Sequence, residues 1–170
     1  NMEPADNMLH DSSSNGINLN AESIVKEDNG VAGACSVFAG NQTAYCADNE
    51  KLDGFEQFSV SLWIKPNQSH NGADMLIDKD ESYRIAYIED ESAIQFIVAT
   101  DNNGWYEKML IVEYIPEYGK WTHIVGVYNG QDLKLYIDGK DSGTTLSGLS
   151  GAVYNSDSDF YISRLQNSNS

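Results

Sequence analysis

The stretch WTHIVGVYNGQDLKLYIDGK, Trp121 to Lys140, decides how the rest of the chain is read. It carries two turn signals, Asn129-Gly130 and Asp138-Gly139. Such pairs suit tight hairpins, whose central residues need backbone angles that Asn, Asp and Gly tolerate. Between the turns, Leu133, Leu135 and Ile137 point one way and Lys134 and Tyr136 the other, the period-two pattern of a strand with one buried face. The run before them, WTHIVGVY, is apolar on both faces, so it reads as a central strand or one beneath a covering loop. Its register against LKLYIDG stays open, because loops of different length oppose different faces.

The same pattern recurs outward from this hairpin. In FSVSLWI, Phe58, Val60, Leu62 and Ile64 share a face opposite Ser59, Ser61 and Trp63. Further short runs are CSVFAG, TAYCA, DMLID, YRIAYIE, AIQFIVAT, EKMLIVEYI and FYISRL, separated by turn formers such as AGNQ, DNNG, PEYGK and DGKDSG. The runs are rich in Val, Ile, Phe and Tyr, which suit a pleated, half-buried surface. Helical periodicity is nearly absent. Many short strands with regular turns predict an all-β protein, a sandwich or a barrel. No internal repeat or linker divides the 170 residues, so a single domain over 1–170 is expected, with an irregular polar segment over 1–30 and a fraying tail.

Composition limits the partners. The 26 acidic and 10 basic residues leave a formal net charge of −16. That argues against nucleic acid and against anionic membrane surfaces, both of which need Lys and Arg. No apolar run approaches the roughly 20 residues of a membrane-spanning helix, so no membrane insertion is expected. The first residues are polar and acidic and carry no secretory signal pattern. Because the chain does not start with Met, it is expected to be a mature product or part of something longer.

The two cysteines, Cys35 and Cys46, flank a turn signal at Gly40-Asn41. A turn there would set the flanks side by side, within bridging distance. A Cys35–Cys46 disulfide is therefore expected, and with it an oxidising compartment. Two reduced, buried thiols are the alternative.

The order of motifs adds a resemblance. DSSSNGINL comes first, then GACSVFAGNQTAYCADNEKLDGFEQFSVSLWIKP, MLIDKDESYRI, KWTHIVGVYNGQDLKLYIDGK and FYISRL. Over roughly residues 8–165 this resembles the laminin-G-like jelly roll of the concanavalin A-like lectin/glucanase superfamily, in the form common in bacterial secreted proteins. The resemblance implies a two-sheet antiparallel jelly-roll sandwich in an extracellular, cell-surface or periplasmic protein. The chain departs from the family at three places. The usual first strand is missing or replaced by NMEPADN, the usual last strand is absent after Arg164, and Ala39 stands where an Asp is common. A domain cut short at both ends, or completed by another chain, is expected.

Catalytic chemistry finds little support. Glycan hydrolysis needs an acid and a base or nucleophile at a set separation. Glu89 and Glu91 are two apart, but Asp90 and Ser92 make the segment a turn. Pro116 breaks the strand between Glu113 and Glu117. No nucleophile elbow, His-Glu-x-x-His or phosphate loop occurs. His123 reads as a structural residue within its strand, and His10 and His70 read as loop residues outside any catalytic constellation. The domain is not expected to be an enzyme.

Related folds often carry one structural calcium, which takes oxygen ligands. Asp11 and Asn15, in HDSSSNGIN, are the first candidates. Asp48 with Asp53, and Asp78 with Asp80 and Glu81, are weaker ones. The alternative for the Asp11 loop is a turn held by Asp and Ser side chains.

Sugar sites combine an aromatic platform with planar polar groups. Trp63 and Trp121 match framework positions of the family and are expected to pack. Trp105 and Tyr106 follow a tight polar loop of Asp101, Asn102 and Asn103, and this cluster is the candidate ligand site. The alternative is that Trp105 covers a sheet edge. The expected function is non-catalytic binding, to carbohydrate first, as a module linked to other domains of a larger secreted or surface protein. A protein–protein or adhesion module is the main alternative, and a glycan-cleaving enzyme the second.

Overall fold

In the computed structural model, residues 8–21, 24–39, 42–67 and 72–166 are described. In chain order the strands are β1 (Met8–Leu9), β2 (Leu19–Asn20), β3 (Val25–Gly30), β4 (Gly33–Val37), β5 (Ala44–Cys46), β6 (Phe58–Ile64) and β7 (Ala73–Lys79). They continue with β8 (Tyr83–Ile88), β9 (Ala93–Val98), β10 (Met109–Glu113), β11 (Thr122–Tyr128), β12 (Asp132–Ile137), β13 (Lys140–Ser147) and β14 (Phe160–Gln166). One 3-10 turn spans Glu50–Leu52.

The strands form an eight-stranded sheet in the order β1-β2-β5-β14-β7-β8-β9-β10, a four-stranded sheet in the order β13-β12-β11-β6, and a separate β3-β4 pair. Every pairing is antiparallel. The two large sheets face each other across one core. Ile85, Ile94, Phe96 and Val98 meet Ile124, Tyr128, Leu133 and Leu135 there. This is a β sandwich, one of the two architectures the alternating runs predict, and of the jelly-roll type that the resemblance implies.

The register left open between β11 and β12 is Ile124 opposite Ile137 and Gly126 opposite Leu135. Asn129 N–H donates to Asp132 O (3.2 Å), and the Asn129 side chain accepts from Gln131 and Asp132 N–H. The turn therefore has Gly130 and Gln131 at its centre. At the next hairpin Ile137 faces Lys140, and Asp138 and Gly139 both take positive φ (50° and 75°). That is the tight turn predicted for Asp-Gly. β11 lies between β12 and β6, the central position read for it, with Ile124, Gly126 and Tyr128 buried and His123, Val125 and Val127 half-buried on its other face.

The segment read as irregular contains β1, β2 and β3. Its polar residues hid the β3-β4 hairpin, which is almost wholly exposed along β3 and buries too little to show an apolar face.

The disulfide expectation is corrected. Cys35 and Cys46 are free thiols. Cys46 lies on β5, held between β2 and β14, and is buried, which pushes its thiol pKa up. Cys35 lies on the separate hairpin, with its sulfur 3.4 Å from Asn29 Oδ1. The Gly40-Asn41 turn on which the bridge depended falls outside the described residues.

Candidate functional site

Register places the side chains of the eight-stranded sheet in rows that alternate between its faces. Phe160, Lys79, Tyr83 and Val98 form one inward row, with Cys46 opposite Phe160. Two residues along the strands, Ala44, Ile162, Ile77, Ile85, Phe96 and Leu110 form the next. The row between them faces outward and contains Asp78 opposite Arg84.

That pair is the floor of the candidate site. Arg84 Nε donates to Asp78 Oδ1 at 2.7 Å, and its Nη2 donates to Asp80 Oδ1 at 3.1 Å. Arg84 and Asp78 are buried; Asp80 is half-exposed. Burial opposes the guanidinium charge, but the Asp78 carboxylate outweighs it and the Arg84 pKa rises.

The loop after β9 folds over Arg84. The guanidinium carbon stands 5.1 Å from the Trp105 ring centre and 5.9 Å from that of Tyr106, which is cation–π range. Arg84 Nη1 also donates to the Tyr106 hydroxyl. The two rings lie 5.0 Å apart and are tilted by 51°. Tyr106 holds a left-handed backbone, φ 63°, and is 52% exposed, while Trp105 is half-buried. A non-glycine residue there is strained by about 1–3 kcal/mol, and the Arg84 contacts offset it.

The polar part of the loop divides. Asn103 turns inward: its Oδ1 accepts from Ser150 N–H (3.1 Å) and lies 3.4 Å from Thr100 Oγ1. Thr100 Oγ1 also donates to Ser150 O at 2.6 Å. Asp101 and Asn102 are exposed at the tip. Asp101 and Asn102 therefore lie against the Gly151–Ala152 segment, Trp105 and Tyr106 lie over Arg84, and Asn103 braces the loop between them. Sequence reasoning missed Arg84 and read Asp78 only as a weaker calcium candidate, because only strand register pairs the two and only the fold of the loop after β9 sets Trp105 over Arg84.

Trp63 departs from the expectation that it packs within the framework. It is 46% exposed on the outer face of the four-stranded sheet and stacks on His123, with ring centres 4.6 Å apart and an 18° interplanar angle. His123 Nε2 is 2.7 Å from Ser61 Oγ, while Asp138 accepts from the His123 main-chain N–H (2.9 Å). Trp121 is half-buried, with the Lys65 ammonium 5.8 Å from its ring centre. Tyr83 and Tyr87 are core residues; Tyr154 is exposed.

Carboxylates proposed for other chemistry are engaged elsewhere. Glu89 accepts from the Tyr118 hydroxyl at 2.7 Å and Glu91 from Gln95 at 3.2 Å. Glu117 pairs with Lys120. Asp78 and Asp80 hold Arg84, and Asp48 and Asp53 converge on the buried Lys79 ammonium at 2.6 and 3.3 Å. The chain's own cations thus stand where the weaker calcium candidates would need an ion.

Asp11 braces its own loop. Its carboxylate accepts from Ser13 N–H (2.7 Å), Ser13 Oγ (2.7 Å) and Ile17 N–H (2.9 Å), and the Ser13 bonds hold its pKa below the ordinary value. Among the described residues no group of three His, Cys, Asp or Glu is placed to hold an ion. The Asp11 loop borders an open depression of about 430 Å³ that includes Leu9, His10, Asn15 and Phe160. A second, of about 300 Å³, lies by Glu113 and Asp138. Neither is lined by Trp105.

Residues 38–170 match the family model described as concanavalin A-like lectin/glucanases superfamily. Human pentraxin-related protein PTX3 is 26% identical over 102 residues, which cover 58% of this chain and 26% of PTX3. The chain thus spans about a quarter of that relative's length. Domain 4 of the extracellular arabinanase AbnA of Geobacillus stearothermophilus, solved with arabinotriose, is 20% identical with a TM-score of 0.60, over 82% of this chain and 66% of that one. A botulinum neurotoxin type C structure, whose toxin depends for cell entry on two ganglioside molecules, is 18% identical with a TM-score of 0.57, over 97% of this chain and 44% of that one.

Proposed function

The chain belongs to the concanavalin A-like lectin/glucanases superfamily, and from that premise we propose that it is a non-catalytic carbohydrate-binding module of a larger secreted or surface protein. The carrying observation is the Trp105–Tyr106 pair, fixed over the buried Arg84–Asp78 ion pair and presented at an exposed rim. A rigid aromatic platform binds a sugar face with little loss of side-chain freedom. Asp101 and Asn102 supply hydrogen-bonding groups beside it, and Asn103 keeps the loop in place. The neighbours solved with arabinotriose or dependent on ganglioside support this ligand class.

The non-catalytic part of the reading rests on the carboxylates. Glu89 and Glu91 are bonded to neighbours on one turn and do not face each other across a groove. A structural calcium at Asp11 and Asn15 is part of this reading only as a loop brace. Among the described residues Asp11 is the one carboxylate of that loop, and it would need main-chain and water oxygens to complete the set.

A broad glycan array tests the proposal. The wild type is expected to retain at least one glycan class, and Trp105→Ala to lose about tenfold or more in affinity, the scale of about 1.4 kcal/mol of lost ring contact. A blank array for the folded wild type removes the reading. A protein–protein module is the second reading, favoured by the exposed Trp63–His123 stack on the opposite sheet; binding that survives Trp105→Ala and fails in Trp63→Ala would support it.

A further inference from the structure

We infer that the sugar site is a strip across the strands, shaped for a neutral linear oligosaccharide. This rests on the carbohydrate reading above. The outward row that holds Asp78 and Arg84 continues to Tyr161, opposite Asp78, and to Tyr45, opposite Tyr161. Directly opposed residues in an antiparallel sheet project from the same face. Tyr45 and Tyr161 stack, with ring centres 5.8 Å apart and an interplanar angle of 26°, and Tyr45 is 39% exposed. Two aromatic pairs therefore stand on one face of the sheet, Trp105–Tyr106 over Arg84 and Tyr45–Tyr161 beside Asp78.

From Tyr45 to Arg84 the row crosses three strand spacings, about 14 Å. That is more than one sugar ring covers. A ligand touching both pairs is a chain running across the strands. The charges that border the strip fix its charge preference. Arg84 is already held by Asp78 and Asp80, and the Tyr161 hydroxyl lies 3.5 Å from Asp159 Oδ2. Asp80 and Asp159 are half-exposed carboxylates beside the strip, whereas Arg84 is buried and held by Asp78, so uronate or sialylated chains are repelled and neutral chains are not.

The test is calorimetric titration of the wild-type chain with neutral arabino-, xylo- and cello-oligosaccharides from disaccharide to hexasaccharide, with oligogalacturonides of equal length in parallel. Affinity is expected to rise with length in a neutral series and to be at least about tenfold weaker for the acidic one. Tyr45→Ala and Tyr161→Ala are expected to lose about five- to tenfold for the hexasaccharide and almost nothing for the disaccharide. Trp105→Ala loses both, and Tyr45→Phe keeps both. If Tyr161→Ala fails to fold, the more exposed Tyr45→Ala carries the comparison. Tyrosine variants that match the wild type at every length, with Trp105→Ala still defective, overturn the strip and leave the sugar reading intact. Preference for the acidic series, or no binding to either series from a protein that is positive on the array, overturns it equally. A blank array removes both.

Discussion

Lys79 shows what one residue can settle. Its side chain is wholly buried on the core side of β7, yet its ammonium has Asp48 Oδ1 at 2.6 Å, Asp53 Oδ2 at 3.3 Å, and the main-chain oxygens of Ser156 and Ser158 at 3.0 and 2.6 Å. Asp48 is held below its ordinary pKa by the Lys79 hydrogen bond; Asp53 is pushed up by burial, with Lys79 opposing. Removing the ammonium leaves carboxylates beside the core with no counter-charge. Lys79→Met is expected to cost about 3–5 kcal/mol, read as a fall in the urea midpoint. Because the folded variant would hold its carboxylate protons more tightly than the unfolded chain, part of the loss should return as pH falls toward about 4.

At the scale of elements, β11 and the sheet opposite are fitted closely. Gly126 faces the core between Ile124 and Tyr128, and a Cβ there would come within 2.9 Å of Ile85 Cδ1 and 3.2 Å of the Phe96 ring. The sheets approach at this point because no side chain intervenes. Gly126→Ala should destabilise by about 1–3 kcal/mol through overpacking, measured by chemical denaturation. The hairpin turns on each side are sequence-local and should survive that substitution, so backbone shifts seen by NMR are expected at β8 and β9 rather than at Asp138-Gly139.

For the whole molecule, the core includes three tyrosines, Tyr83, Tyr87 and Tyr128. Burial raises the pKa of Tyr83, Tyr87 and Tyr128 above the ordinary 10.0. The folded state therefore keeps protons that the unfolded chain gives up, and stability should fall as pH climbs past about 10. Tyr128 also donates to Gly151 O at 2.7 Å. Tyr128→Phe should lose about 1 kcal/mol at neutral pH and show a shallower decline between pH values of about 9 and 11, as measured by urea midpoints at each.

What the sequence determined by itself was whatever depends on neighbours along the chain. Alternation in LKLYIDG and FSVSLWI assigned faces, and Asp138-Gly139 assigned a turn. The β3-β4 hairpin was hidden because alternation is visible only where a face is buried. Tertiary structure decided which residues meet across strands. Asp78 and Arg84 are six apart in sequence but share a row with Tyr161 and Tyr45, from distant segments. It also separated Cys35 from Cys46 and set chain cations against Asp48, Asp53, Asp78 and Asp80. The physical reason is register: the hydrogen-bond ladder fixes which side chains stand side by side, and a shift of one residue would turn each to the other face.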